Sequence, residues 1–170
     1  SEEGFSPPGN ADGGVEVGFS PKRGDLQLAL VNGSRGSTLD NDRRLATALN
    51  MSARFKAGPF AATAGVAGYS HPGISEDLNS GGVFGYLSGW NVTWLGQGDL
   101  VRRDPYLTPA TTAVVTSHEL SVLFRQGVEL KSTYDFYDPD RSLRSGSQSR
   151  WGLGAMVMPR PFLVVEANFR

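Results

Sequence analysis

Arg44-Leu45-Ala46-Thr47-Ala48-Leu49-Asn50-Met51-Ser52-Ala53-Arg54-Phe55-Lys56 is the stretch that decides the fold. Leu45, Thr47, Leu49, Met51, Ala53 and Phe55 fall on one parity, and Arg44, Asn50, Ser52, Arg54 and Lys56 on the other. In a strand, successive side chains point to opposite faces, so this period places all the charge on one side. A helix would scatter both sets around its circumference. One face of this segment therefore suits an apolar medium and the other suits water.

The alternation recurs outward in both directions. Val15, Val17 and Phe19 repeat it, as do Leu26, Leu28 and Leu30. The pattern predicts strands near residues 14–20, 25–32, 44–57, 60–70, 83–90, 92–101, 112–124, 128–137, 151–158 and 162–170. Residues 1–13 read as a polar N-terminal segment, and no stretch has the 3.6-residue period of an amphipathic helix. The expected class is all-β, an antiparallel up-and-down sheet.

Composition narrows the function. No apolar run approaches the ~20 residues of a transmembrane helix. A formal net charge of −1 gives no electrostatic basis for nucleic-acid binding. The chain has no cysteine, which removes disulfides, thiol catalysis and thiolate metal ligands. Glycine reaches 22 of 170 residues without any collagen-like or low-complexity period. Glycines inside strands suit a curved sheet, where backbones bend or approach closely.

The connections between the expected strands sort by length. Links 21–24, 58–59, 91, 125–126 and 159–161 are short, whereas 33–42, 71–82, 102–110 and 138–150 are long and polar. Outer-membrane β-barrels sort their loops this way, with short turns at one end and long loops at the other. Phe19, Phe55, Phe60, Trp90, Trp94 and Phe124 cluster near the short turns on the apolar parity, as an aromatic girdle would. Tyr69, Tyr134, Phe136 and Trp151 lie toward the long links and suggest a second girdle. On the polar parity, Arg44, Arg54, Lys56, Asp99, Glu129, Lys131 and Asp135 are the candidate lumen residues. Both signs are mixed among them.

In a barrel with both termini on the periplasmic side, the first and last links are long. Here links 21–24 and 159–161 are both short. The expectation is that further strands, from the same polypeptide or from other envelope subunits, complete the sheet into a larger barrel. Open edges in lipid would leave backbone groups unsatisfied.

No catalytic residue or metal site is expected. His71 and His118 are far apart in sequence, and neither belongs to a metal-binding motif. Asp40-Asn41-Asp42 and Asp138-Pro139-Asp140 lack the spacing of a calcium loop and fit turn chemistry. Ser117-His118-Glu119 is the one local Ser/His/acid cluster, and adjacent strand residues point to opposite faces. No cofactor is implied.

Two segments carry a family resemblance. Arg150-Trp151-Gly152-Leu153-Gly154, followed by Met158-Pro159-Arg160-Pro161-Phe162-Leu163, resembles a late strand–turn–strand of phosphate-selective-porin-like outer-membrane proteins. Asp138-Pro139-Asp140-Arg141 and Leu30-Val31-Asn32-Gly33 are similar to porin-like barrels as well. The resemblance implies an integral protein of the bacterial outer membrane that passes small solutes by diffusion. Anion selectivity does not carry over, because no basic ladder is present. The partners expected are the lipid bilayer, small polar solutes and the strands that complete the sheet. Two other readings stay open at this point. One is a structural barrel subunit anchoring or sheathing a larger envelope assembly. The other is a soluble lipocalin-like barrel that turns its apolar face inward around a small apolar ligand.

Overall fold

The computed structural model describes residues 14–31, 45–73, 75–143, 145–160 and 163–169. They form β1 (Gly14–Phe19), β2 (Gly24–Val31), β3 (Ala46–Ala57), β4 (Phe60–Pro72) and β5 (Glu76–Gly89). These are followed by β6 (Val92–Pro105), β7 (Thr111–Arg125), β8 (Val128–Asp138), β9 (Gln148–Arg160) and β10 (Leu163–Phe169). Each strand pairs antiparallel with its neighbours in sequence, giving one ten-stranded sheet in the order β1 to β10. The all-β, up-and-down class expected from the alternation is the class observed. β1 and β10 are the two edges and do not pair with each other. The segment 1–13, the link 33–42 and Arg44 lie outside the described residues.

Paired residues share a face, so the register sorts every side chain. Following Leu28↔Leu49↔Gly68↔Gly81↔Leu100↔Val114 traces one face from β2 to β7. That face remains apolar out to Val157 and Val165 on the last two strands. The apolar stretch on it runs from Phe60 to Gly68 on β4, Gly81 to Gly89 on β5 and Val92 to Leu100 on β6. Each covers nine residues, within the ~9–11 that a tilted strand needs to cross a bilayer. Beyond it, the same face turns polar with Ser70, Asn79 and Arg102, which lie side by side in one row.

That polar row accounts for the main departure from the expected boundaries. The link expected at 71–82 shrinks to the three residues between Pro72 and Glu76, and 102–110 shrinks to the five between Pro105 and Thr111. The link expected at 138–150 is likewise shortened, to the residues between Asp138 and Gln148. Past the apolar band both faces are polar, so the alternation disappears although the hydrogen-bonded ladder continues. Paired backbone of this kind reads as loop in a sequence.

The strands slant across the sheet. The register row that leaves β1 at its last residue, Phe19, crosses β9 at Ser149, eleven residues before that strand ends at Arg160. With a rise of ~3.3 Å per residue and strands ~4.8 Å apart, that slip over eight strand spacings is a tilt of roughly 40°. Closed barrels tilt their strands by about this much.

The short turns are tight. Gly58 takes a positive φ of 57° before Pro59, as the first central position of a two-residue hairpin requires. Trp90 takes a positive φ of 50° without being glycine, and its ring packs edge-on to Phe60 with centroids 4.8 Å apart. A β-bulge interrupts the β7–β8 ladder between Leu123 and Arg125, with Phe124 as the extra residue.

There is almost no conventional core. Ala46 is the only fully buried apolar side chain among the described residues. Large apolar side chains of the apolar face stand exposed instead, among them Val17, Phe55, Val83 and Leu153. A single curved layer leaves its apolar face uncovered, and a bilayer is the medium that face suits.

Candidate functional site: the polar face of the sheet

Within the band, the described part of the polar face carries Glu16, Asp25, Asp99, Glu119, Glu129, Asp135 and Glu166. Against these stand Arg54, Lys56, Lys131 and Arg150. Of the residues singled out from sequence, Arg54, Lys56, Asp99, Glu129, Lys131 and Asp135 therefore share one face. Arg44 lies outside the described residues.

Two ion pairs organise this face. Near the short-turn end, Arg54 donates to Asp25, which also accepts from Ser52 at 3.2 Å. Arg54 and Asp25 come from β3 and β2, and Arg54 lies two positions along β3 from Ser52, the direct partner of Asp25. Further along the sheet, Lys131 Nζ lies 3.6 Å from Glu119 Oε1, and Ser121 donates to the same oxygen at 3.2 Å. Both pairs are partly exposed, so water screens them and they order the face more than they stabilise it. Neighbouring carboxylates are held by neutral groups instead. Gln97 donates to Asp99 at 2.6 Å, Ser117 to Asp135 at 2.8 Å and Asn168 to Glu166 at 3.0 Å.

Arg150 belongs to this face, directly opposite Asp135. The sequence reading missed it because it sat in the expected 138–150 link. Its one legible signal is parity, since it alternates with Trp151. Tyr69 is a second correction: it pairs with Ala48 and Ser80 on the polar face and stacks on His71 with centroids 6.3 Å apart. It is not part of an outer aromatic band.

Phe84, Tyr86 and Tyr137 also lie on the polar face, while the apolar face carries most of the other aromatics. Phe19, Phe55, Phe60 and Trp94 lie on it near the short turns, with Trp90 at the β5–β6 turn and Phe124 at the bulge. Farther up, Trp94, His118, Tyr134 and Trp151 form a slanting ladder with centroid separations of 5.9, 6.4 and 4.5 Å. His118 thus points away from Ser117 and Glu119, which face the polar side. Those three residues cannot act together. His71 and His118 are on opposite faces, so they share no metal site.

At the long-link end the rim is tied together. Tyr106 donates its hydroxyl to the Gly73 carbonyl at 2.8 Å and to Asp77 at 3.1 Å, bridging two neighbouring connections. Asp138 and Asp140 are occupied as turn caps. Asp138 Oδ1 accepts from the Asp140 N–H, and Asp140 Oδ1 accepts from the Ser142 hydroxyl and N–H. Those Ser142 hydrogen bonds, the hydroxyl's first, hold the Asp140 carboxyl below its ordinary value.

A solved porin structure, refined at 1.8 Å, superposes on this sheet with a TM-score of 0.64 at 13% identity. The match covers 92% of this chain and 55% of the porin chain. The fold is that of a porin. The porin-like sheet therefore spans little more than half the length of the chain it matches. No family model matches the sequence, and no curated protein matches it.

Proposed function

We propose that this chain forms part of the wall of a porin-like β-barrel in a bacterial outer membrane, through which small polar solutes or ions diffuse passively. One observation carries this reading: across ten strands the register keeps one face apolar over a bilayer-deep band and gathers the charged side chains on the other. The apolar face meets lipid, and the polar face lines a wet lumen. The tilt of roughly 40° and the porin fold support that orientation over a lipocalin-like one. The mechanism needs no chemistry from the protein, only a hydrated path walled off from lipid, and no enzymatic role is assigned.

The free edges of β1 and β10 call for partner strands, since unpaired N–H and C=O groups in hydrocarbon are costly. We assign those partners to further strands of the same barrel. Barrels of 16–18 strands leave an aqueous channel, and a ten-strand wall covering 55% of a porin chain fits that size. The finer likeness to phosphate-selective porins rests on the segments around Arg150 and Pro159 alone, and the acids of the polar face give it no support.

The test is membrane fractionation followed by gel mobility of unboiled and boiled samples, then conductance in planar bilayers. A heat-shifted, membrane-bound protein that conducts is the expected result. A soluble protein with unchanged mobility would overturn the proposal. A membrane-bound barrel without conductance would favour the structural, envelope-anchoring role, for which the unpaired edges are the specific feature.

A further inference from the structure

We infer that the wall formed by β6 to β10 attracts cations, so that a pore built on it passes cations in preference to anions. The inference rests on the pore reading above and gives it a solute class. The signs on the polar face look mixed in sequence, but the register gathers seven acids against four basic residues on the described part of the band. Arg54 is taken up by Asp25 and Lys131 by Glu119. That leaves Glu16, Asp99, Glu129, Asp135 and Glu166 against Lys56 and Arg150, an excess of three negative charges on the described part of the band.

Position strengthens the excess. Four of those five acids lie on β6, β8 and β10, with only Arg150 of the two cations among them, on β9; Lys56 is near the short-turn end of β3. Asp99, Asp135 and Glu166 take hydrogen bonds from the neutral side chains of Gln97, Ser117 and Asn168. A neutral donor orients a carboxylate without cancelling its charge, so Asp99 and Glu166 project a field into the lumen, and Asp135 does so less because Arg150 lies directly opposite it. Asp99 and Asp135 also sit at nearly one depth. The row through Asp99 crosses β8 at Tyr137, two residues above Asp135, and the strand tilt offsets that step over two strands. Two fixed carboxylates thus sit at one level, Asp99 beside the bare Gly82 and Asp135 opposite Arg150, so Asp99 is the less compensated of the two.

The experiment is the reversal potential of the full polypeptide in planar bilayers under a KCl gradient. We expect potassium to be favoured over chloride. In Asp99→Asn/Asp135→Asn/Glu166→Gln the permeability ratio should fall roughly twofold or more near 0.1 M salt, where the screening length is ~10 Å, and the difference should fade toward 1 M. The isosteric amides keep the shape of the wall, and unboiled gel mobility checks that the variant barrel is folded. Lys56→Gln should move the ratio the other way. A conducting barrel that favours chloride, or one whose ratio the triple variant leaves unchanged, overturns this inference and leaves the pore intact. A folded barrel that never conducts overturns the pore reading itself and this inference with it.

Discussion

The ring of Phe84 lies across Gly65, its direct partner on the neighbouring strand, so closely that a β-carbon at Gly65 would collide with it. The carbonyl of Met51 closes the space from the other side, 2.7 Å from where that carbon would sit. Gly65 is thus a seat for an aromatic ring, and the ring restores contacts the glycine lacks. Phe60 covers Gly89 in the same way on the apolar face.

Gly65→Ala should therefore destabilise the barrel by ~1–3 kcal/mol, the usual cost of overpacking. Removing the ring in Phe84→Ala should relieve only part of that cost in the double variant, because the Met51 carbonyl stays in place. Unfolding by urea in detergent micelles or lipid, monitored by gel mobility, measures both. Full additivity of the two substitutions would show that the ring and the glycine do not touch.

Leu49 and Asn50 are adjacent in sequence and opposite in environment. Leu49→Arg puts a charge on the apolar face within the band and should cost ~2–4 kcal/mol, enough to impair assembly. Asn50→Arg, on the polar face, should assemble with near-normal yield. Heat-modifiable band intensity in membrane fractions reads both, and the opposite ranking would invert the two faces.

His118 stands between Trp94 and Tyr134 on the apolar face, where it serves as a ring. His118→Phe should be tolerated or mildly stabilising, whereas His118→Lys should cost ~2–4 kcal/mol if the site lies near the bilayer midplane. Brominated lipids should quench the fluorescence of the three tryptophans, and aqueous iodide should do so weakly. Efficient iodide quenching with little effect of bromolipid would place those rings in water.

Asp140 caps its turn through Ser142, and its carboxyl is held below the ordinary value of 3.8. A group with a depressed folded value contributes fully above its unfolded value and loses that contribution as pH falls through the folded one. The protection factor of the Ser142 amide, the unprotected rate at the same pH divided by its observed exchange rate, should be full at neutral pH and fall below about pH 3.8, the reference carboxylate value. Asp140→Asn should flatten that acid limb, and an unchanged profile would assign it to another group.

Much of this was legible along the chain because a strand's two faces are written at every second position. Leu49 and Asn50 could be assigned to faces from the 44–56 stretch alone, as could Lys131 and Trp94 from theirs. What failed was the region where environment stops alternating. Glu76, Asp77 and Arg103 belong to paired strands that overhang the apolar band, and polar residues on both faces look like loop. Arg150 was lost for the same reason. Tyr69 was misplaced because an aromatic residue near an interface was taken as facing lipid, although its parity already placed it with Ala67 and His71.

The alternation along the chain is enough to set the class of the protein: strands, their sidedness, their approximate number, and the separation of apolar from charged residues. These depend on one residue and its immediate neighbours. Which charges pair, where the strands end and which glycines carry a ring follow from the folded sheet alone. Those depend on register, tilt and cross-strand partners: Asp25 meets Arg54, and Phe84 covers Gly65, because the ladder brings distant segments into adjacent rows. A two-residue period tells each residue which way to face, but only the paired sheet tells it what it faces beside.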